Sequence, residues 1–332
     1  MGTLQRTNGF LEKWIFLIMP LLIATGIFGD KGVADGIEAV PFLFMVLTFL
    51  SSLSADFRSF GRVFRRPVRF FAFLAAIHFL IPWAVYGVAR LCFAAQSDLA
   101  TGITLTAILP LGVTSIFWVA YNKANLEAAV AYVSLNTILS PILVPLAFVW
   151  ILGSQISLDT GQLVGSLVRL VLIPACLGMG AGEWLRRKEP APWLKPGAAF
   201  LNKLCLFAIV LLNAASVSEQ LDVVRAHIFV LLLAVPSVMS FGYLVSYMLG
   251  RWLSSDRKMQ IAIAYSGGVR NYTVGIVLAA AFFPPAAGIP VLLAMLFQHP
   301  LALLVYYVFK WTKGKGKPDT ASLRSSLSRF GG

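Results

Sequence analysis

The sequence predicts an all-α membrane protein with ten transmembrane helices in two inverted five-helix repeats, in which helices four and nine are broken. Three observations predict it. Hydrophobic residues fill 58% of the 332 positions and charged residues only 12%, against about 25% charged in soluble proteins, and mean hydropathy is +0.81. The apolar residues gather into ten runs of membrane-spanning length. The cations behind the net charge of +13 fall in alternate gaps between those runs, which is a topology signal and not the clustered patch that nucleic acid would need.

The runs cover roughly residues 13–29, 37–54, 68–93, 100–120, 126–152, 160–183, 200–217, 227–249, 259–283 and 287–311, where a crossing helix needs ~20. The first follows a polar N-terminus and continues past any small-residue cleavage site, so it reads as a retained helix. With the N-terminus in the cytoplasm, Lys31, Arg90 and Arg225 are the basic residues of the outer segments, and Arg169 and Arg270 lie within spans. The other 22 of the 27 Lys and Arg fall on the cytoplasmic side, which puts both termini there. Residues 313–332, rich in Lys, Gly and Ser, read as a disordered basic tail. A bacterial inner membrane is the simplest host. Cys92, Cys176 and Cys205 have no metal or redox spacing, and no metal site or cofactor is expected.

The two halves, residues 1–155 and 156–312, carry matching landmarks. Gly112-Val113-Thr114-Ser115 resembles Gly268-Val269-Arg270-Asn271, and Pro20, Pro82 and Pro141 recur as Pro174, Pro236 and Pro300, at spacings between 154 and 159 residues. Five spans per half oblige the second copy to enter from the opposite side, a transporter plan that places the binding site at broken helices.

Span four is interrupted by Pro110 and Gly112, followed by Thr114 and Ser115. Span nine is interrupted by Gly267 and Gly268, between Ser266 and the pair Arg270-Asn271. Irregular backbone at membrane depth is tolerated only where protein or a water-filled cavity satisfies it, and half-helix ends there carry partial charges. Arg270 stands about a dozen residues from either end of its run, near the midplane by helical rise, where an ionisable group marks a functional site. These nine residues are the candidate substrate and ion ligands, with His78, Asn136 and His299 as further polar candidates. A lone histidine in a helix is more often a satisfied core residue, and Asn136, Thr137 and Asn213 suit helix bridging as well as a cavity wall. Arg169 reads as snorkelling or pairing across helices, and Glu219 and Asp222 as solvated loop residues.

From about Trp14 to Trp311 the chain resembles the bile acid:sodium symporter superfamily, which includes an arsenite-exporting branch. Pro110-Leu111-Gly112-Val113-Thr114-Ser115 is similar to that family's Pro-Gly-Gly-Thr break, Ser266-Gly267-Gly268-Val269-Arg270-Asn271 to its Glu-x-Gly-x-Gln-Asn break, and Phe297-Gln298-His299-Pro300 to its Trp-His-Asn stretch. The resemblance implies a core of spans three to five and eight to ten in which the broken spans four and nine cross, a panel of spans one, two, six and seven, and a substrate site between them. It also implies that the family's sodium ligands are largely replaced: its Glu falls at Ser266, its Gln at Arg270, an Asn at Ile116 and two hydroxyl residues at Ala129 and Val133, while Ser115 and Asn271 keep their chemistry. His78 lies near another sodium-site Gln. The cysteine of the arsenite branch has no counterpart in span four.

No HExxH, G-x-S-x-G or nucleotide loop is present, and carboxylates are nearly absent from the spans, so the chain is not expected to be an enzyme. The expected activity is transport of a small organic anion through the bilayer by alternating access, independent of sodium, with Arg270 standing in for the ion and its guanidinium bonding the carbonyls freed around Pro110 and Gly267 and the oxygens of Ser115, Ser266 and Asn271. The alternatives are a sodium-coupled organic anion symporter, an arsenite-type exporter, and an intramembrane sensor or enzyme.

Overall fold

A computed structural model describes residues 2–53, 67–93, 97–152, 160–188, 193–218 and 221–314. The expected tail beyond 314 and Glu219 lie outside them. Among the described residues all regular structure is helical, apart from one isolated antiparallel bridge between Leu111 and Arg270.

The helices follow the apolar runs. α1 (Gly2–Phe28) leads to a 3-10 segment, Lys31–Ala39, capped by Asp30, and then to α2 (Val40–Ser52). α3 (Pro67–Ala75) passes through a π-helical turn, Ala76–Leu80, into α4 (Ile81–Cys92). α5 (Ser97–Ile108) and α6 (Thr114–Tyr121) are the halves of one interrupted run. Just beyond α6, Lys123 takes a left-handed φ of 52°, and α7 (Leu126–Leu152) follows. In the second half, α8 (Thr160–Leu167) runs through a second π turn, Val168–Leu172, into α9 (Ile173–Arg187). α10 (Leu194–Val217) and α11 (Leu221–Leu253) come next. α12 (Arg257–Gly268) starts at the capping Asp256, α13 (Tyr272–Phe282) at the capping Asn271, and α14 (Pro285–Gly314) closes the fold.

Among the described residues, seven helical stretches are long and apolar enough to cross a membrane by length and composition. Leu17–Phe28 and Tyr272–Phe282 are apolar but shorter, and α5, α6 and α12 each span no more than twelve residues. This is a multi-pass membrane protein. Large apolar side chains such as Leu21, Leu91, Phe229 and Trp252 face outward, as lipid demands. Arg169 sits on the second π turn with its side chain exposed, which suits snorkelling.

Packing sorts the helices. α1, α2, α9 and α10 lie against one another, as do α4, α5 and α14, and α11 packs on α12. Small residues allow close approach: a Cβ on Gly26 would lie 2.6 Å from Ala214 Cβ, and one on Gly182 would strike the Leu53 carbonyl. The first group meets the second where α10 touches α13 and α14, and α1 touches α14.

The first π turn has a readable cause. In it the Ile81 N–H bonds back to the Ala76 carbonyl, so Ile77 O loses its usual α-helical partner. Its π-helical partner would be the N–H of residue 82, which is proline and has none. The Ile77 carbonyl is therefore left for something outside the helix.

Candidate functional site

α5 ends at Ile108 and α12 at Gly268, and the segments that follow run antiparallel past each other. Gly112 N–H donates to Val269 O at 2.9 Å, and Asn271 N–H donates to Pro110 O at 2.9 Å. This reciprocal pair defines a local two-fold that exchanges Leu111 with Arg270 and, carried one turn on, Thr114 with Thr273. The register differs by three residues from the one suggested by matching Gly112 with Gly268.

The glycines are explained by closeness. No glycine among the described residues has a positive φ, and Gly267 and Gly268 are the last turn of α12 and not the interruption itself. A Cβ on Gly112 would lie 2.7 Å from Arg270 O, and one on Gly268 would enter the Tyr243 ring. The interruption is Val269-Arg270-Asn271.

Arg270 is only 4% exposed. Its Nη1 donates to Leu109 O at 3.0 Å and its Nη2 to Ile77 O at 3.1 Å, the carbonyl released by the π turn. Both acceptors are neutral. The sequence suggested that the oxygens of Ser115, Ser266 and Asn271 would join the guanidinium. Instead the Asn271 side chain accepts from Val274 N–H at 3.4 Å, and the buried hydroxyls of Ser115 and Ser266 have no partner.

Behind the crossing, Asn136 on α7 ties two elements together. Its Oδ1 accepts from Leu111 N–H at 2.8 Å, so its Nδ2 is the atom facing His78 Nε2 at 2.6 Å. That Nε2 accepts, and the ring proton sits on Nδ1. Pro110, Ser115, Ser266, Gly267, Gly268, His78 and Asn136 are all buried. Ala129 and Val133 are buried as well, and bring no oxygen from their side chains.

A crevice of about 410 Å³ opens between the crossing and the α1–α2–α10 face. Of the residues singled out in the sequence, Gly112, Thr114, Arg270, Asn271 and His299 line it. Thr273 and Gln298 on the same wall, and Ser51 and Asn202 opposite, complete its polar lining. Asn202 is held by Nδ2 bonds to Leu47 O at 3.0 Å and Ser51 Oγ at 2.7 Å. The two-fold would have identified Thr273, had its register been visible in the sequence. Nothing in the sequence alone marks Asn202. The first residues of α6 and α13 line the same crevice, so two helix N-termini face it. A smaller cavity of about 180 Å³, bordered by Asn213 and Ser216, lies beyond the crossing on the other side. Asn213 spends its amide on its own helix, bonding Ile209 O at 2.9 Å.

Residues 13–309 match the profile of the SBF-like CPA transporter family. The chain is similar to YbaS of Bacillus subtilis (strain 168), 28% identical over 292 residues that make up 88% of this chain and 95% of the relative. It is similar to YocS of the same organism, named a sodium-dependent transporter, at 24% over 285 residues, 85% of this chain and 86% of the relative. A third relative is chloroplastic BASS3 of Arabidopsis thaliana, named a probable sodium/metabolite cotransporter, at 23% over 293 residues, 86% of this chain and 64% of the relative.

Proposed function

The chain belongs to the SBF-like CPA transporter family, and from that premise we propose that this membrane transporter carries a small organic anion by alternating access at the crossing of α5–α6 with α12–α13. The observation that carries the reading is the crevice wall. Among the described residues that line it, Arg270 is the charged one and none is Asp or Glu. The N-termini of α6 and α13 add partial positive charge. The hydroxyls of Thr114 and Thr273 have no hydrogen-bond partner among the described residues. A buried cation is costly until something neutralises it, and a carboxylate does so while accepting charge-assisted hydrogen bonds.

In this proposal the ten apolar runs are ten crossings, arranged as inverted repeats over residues 1–155 and 156–312, and the local two-fold at the bridge is their axis. The core comprises spans three to five and eight to ten, and spans one, two, six and seven form the panel. Both termini face the cytoplasm of a cell with this protein in its inner membrane.

Transport is independent of sodium. The guanidinium of Arg270 binds the Ile77 and Leu109 carbonyls, the kind of hard oxygen that a sodium ion would seek. A second cation nearby would be repelled, more strongly as the dielectric falls. The relatives named for sodium favour a second reading, coupling to that ion, through ligands other than the replaced ones.

Two measurements test the proposal. Purified protein is screened by thermal shift against a panel running from acetate, lactate and pyruvate to benzoate and cholate, each beside its amide. At least one acid should stabilise it where its amide does not, and equal effects throughout would remove the anion reading. Uptake of that acid into proteoliposomes should be the same in sodium and in choline buffer, whereas a large sodium stimulation would establish the second reading.

A further inference from the structure

We infer that the protein is an anion exchanger, in which the change of facing is fast only when a carboxylate occupies the crevice. The inference rests on the anion site proposed above and adds the mode of turnover.

The argument starts from the balance of charge in the core. Arg270 is 4% exposed, stays protonated, and has two neutral carbonyls as its partners. Among the described residues no carboxylate forms an ion pair with it. Asp98, Glu127 and Asp222 stand in the first turns of their helices and Asp256 caps another, away from the crossing. The charge that balances Arg270 must then arrive with the ligand.

In the state seen here the crevice is open beside Arg270, so that water can enter and screen the charge. On the far side α10 packs against α13 and Ile209 and Val210 are fully buried, so the space there is the smaller cavity bordered by Asn213 and Ser216. To change facing, the open side must close and its water must leave. An empty crevice would then trap a bare cation in a medium of low dielectric, where an uncompensated charge is strongly unfavourable. An occupied crevice traps a neutral pair. The closed arrangement is therefore far more accessible with a monoanion bound, whichever way the protein faces. Inward movement of one anion is followed by outward movement of another, because the empty protein returns slowly.

The charge count also fixes the electrical behaviour. The loaded step moves a neutral pair and the empty step moves a positive charge. Exchange of one monoanion for another is thus insensitive to membrane potential, while net uptake, which needs the empty step, responds to it.

The wild-type protein in proteoliposomes tests this, with the radiolabelled acid that stabilised it most in the thermal-shift panel. Uptake is compared for vesicles loaded with the unlabelled acid, with its amide, or with buffer. The acid inside should accelerate uptake at least ~10-fold over buffer, the factor one decade of rate represents, and the amide should not. A potassium gradient with valinomycin should change uptake into buffer-filled vesicles and leave exchange unaltered. Equal rates with acid and buffer inside would overturn the exchanger while leaving anion transport standing. Failure of every acid to stabilise the protein would instead remove the anion site, and the exchanger with it.

Discussion

Replacing Gly112 with alanine puts the crossing itself under test. The new Cβ would sit 2.7 Å from the Arg270 carbonyl oxygen and 2.9 Å from its carbon. Ordinary contacts lie at about 3.5–4.0 Å, so the two segments must part by close to an ångström. The atoms in the way are backbone, bound on either side by the 2.9 Å bonds from Gly112 to Val269 and from Asn271 to Pro110. Stretching those by the same amount takes them beyond hydrogen-bonding distance, at a depth where no bulk water replaces them. Each buried group so stranded costs about 1–3 kcal/mol, and the two donors and two acceptors together about 4–12 kcal/mol. Scanning fluorimetry on the solubilised protein should show Gly112→Ala melting well below wild type, with transport lost in proteoliposomes. Gly87→Ala and Gly242→Ala are the controls. Their added Cβ meets nothing within 4 Å, and removing a mid-helix glycine gains roughly 0.5–1 kcal/mol. A Gly112→Ala protein that melts with these controls and transports at the wild-type rate would refute the close crossing.

Asn136→Leu should destabilise by about 2–4 kcal/mol, since it strands the buried Leu111 N–H and His78 Nε2 together. Thr137→Val next to it should cost under about 1 kcal/mol, because the lost hydroxyl bonds only its own helix at Val133 O. Similar melting temperatures for the two variants would contradict the bridging role of Asn136. For topology, a membrane-impermeant maleimide should label Gly32→Cys on intact cells and reach Gly314→Cys only after permeabilisation; equal labelling of both from outside would end the arrangement with both termini in the cytoplasm.

Prolines, glycines and charges carried most of what the sequence could say. Pro110 and Gly112 announced one interruption, Gly267 and Gly268 pointed to the other slightly early, at the last turn of α12, and Arg270 marked the segment as functional, because a cation does not belong in the middle of a lipid-spanning helix without a partner. The register between the interruptions was hidden, since the glycines serve different neighbours in each half. Gly112 clears a path for the Arg270 backbone, while Gly267 and Gly268 make room for Ser246 and Tyr243 on α11. Matching glycine to glycine therefore slipped the alignment by one helical turn. The Arg270 acceptors were half legible. Pro82 implies a free carbonyl one turn before it, yet which carbonyl depends on whether the helix stays α or opens to π, and periodicity does not decide between them. Bridging was one of two readings open for Asn136, and its partners Leu111 and His78 were out of reach, because a single polar residue on a buried helix face states no partner. Asn202 was equally silent, as its work is to hold α10 against α2 at the crevice wall.

The hydrogen bonds at the crossing also set a schedule for biogenesis. Leu109 waits for Arg270, which follows it in the chain by 161 residues. At the 5–20 residues per second of protein synthesis, that interval is roughly 8–32 s. Throughout it, the helices up to α7 stand in the membrane with the carbonyls of Leu109 and Pro110 and the N–H of Gly112 lacking their final partners, a condition lipid does not accept. The membrane insertion machinery, or water held beside it, must shelter those groups until α12 arrives. A chain released after α7 would keep them exposed permanently and become a substrate for membrane proteases, and a slow codon stretch between α7 and α12 would lengthen the same window of vulnerability.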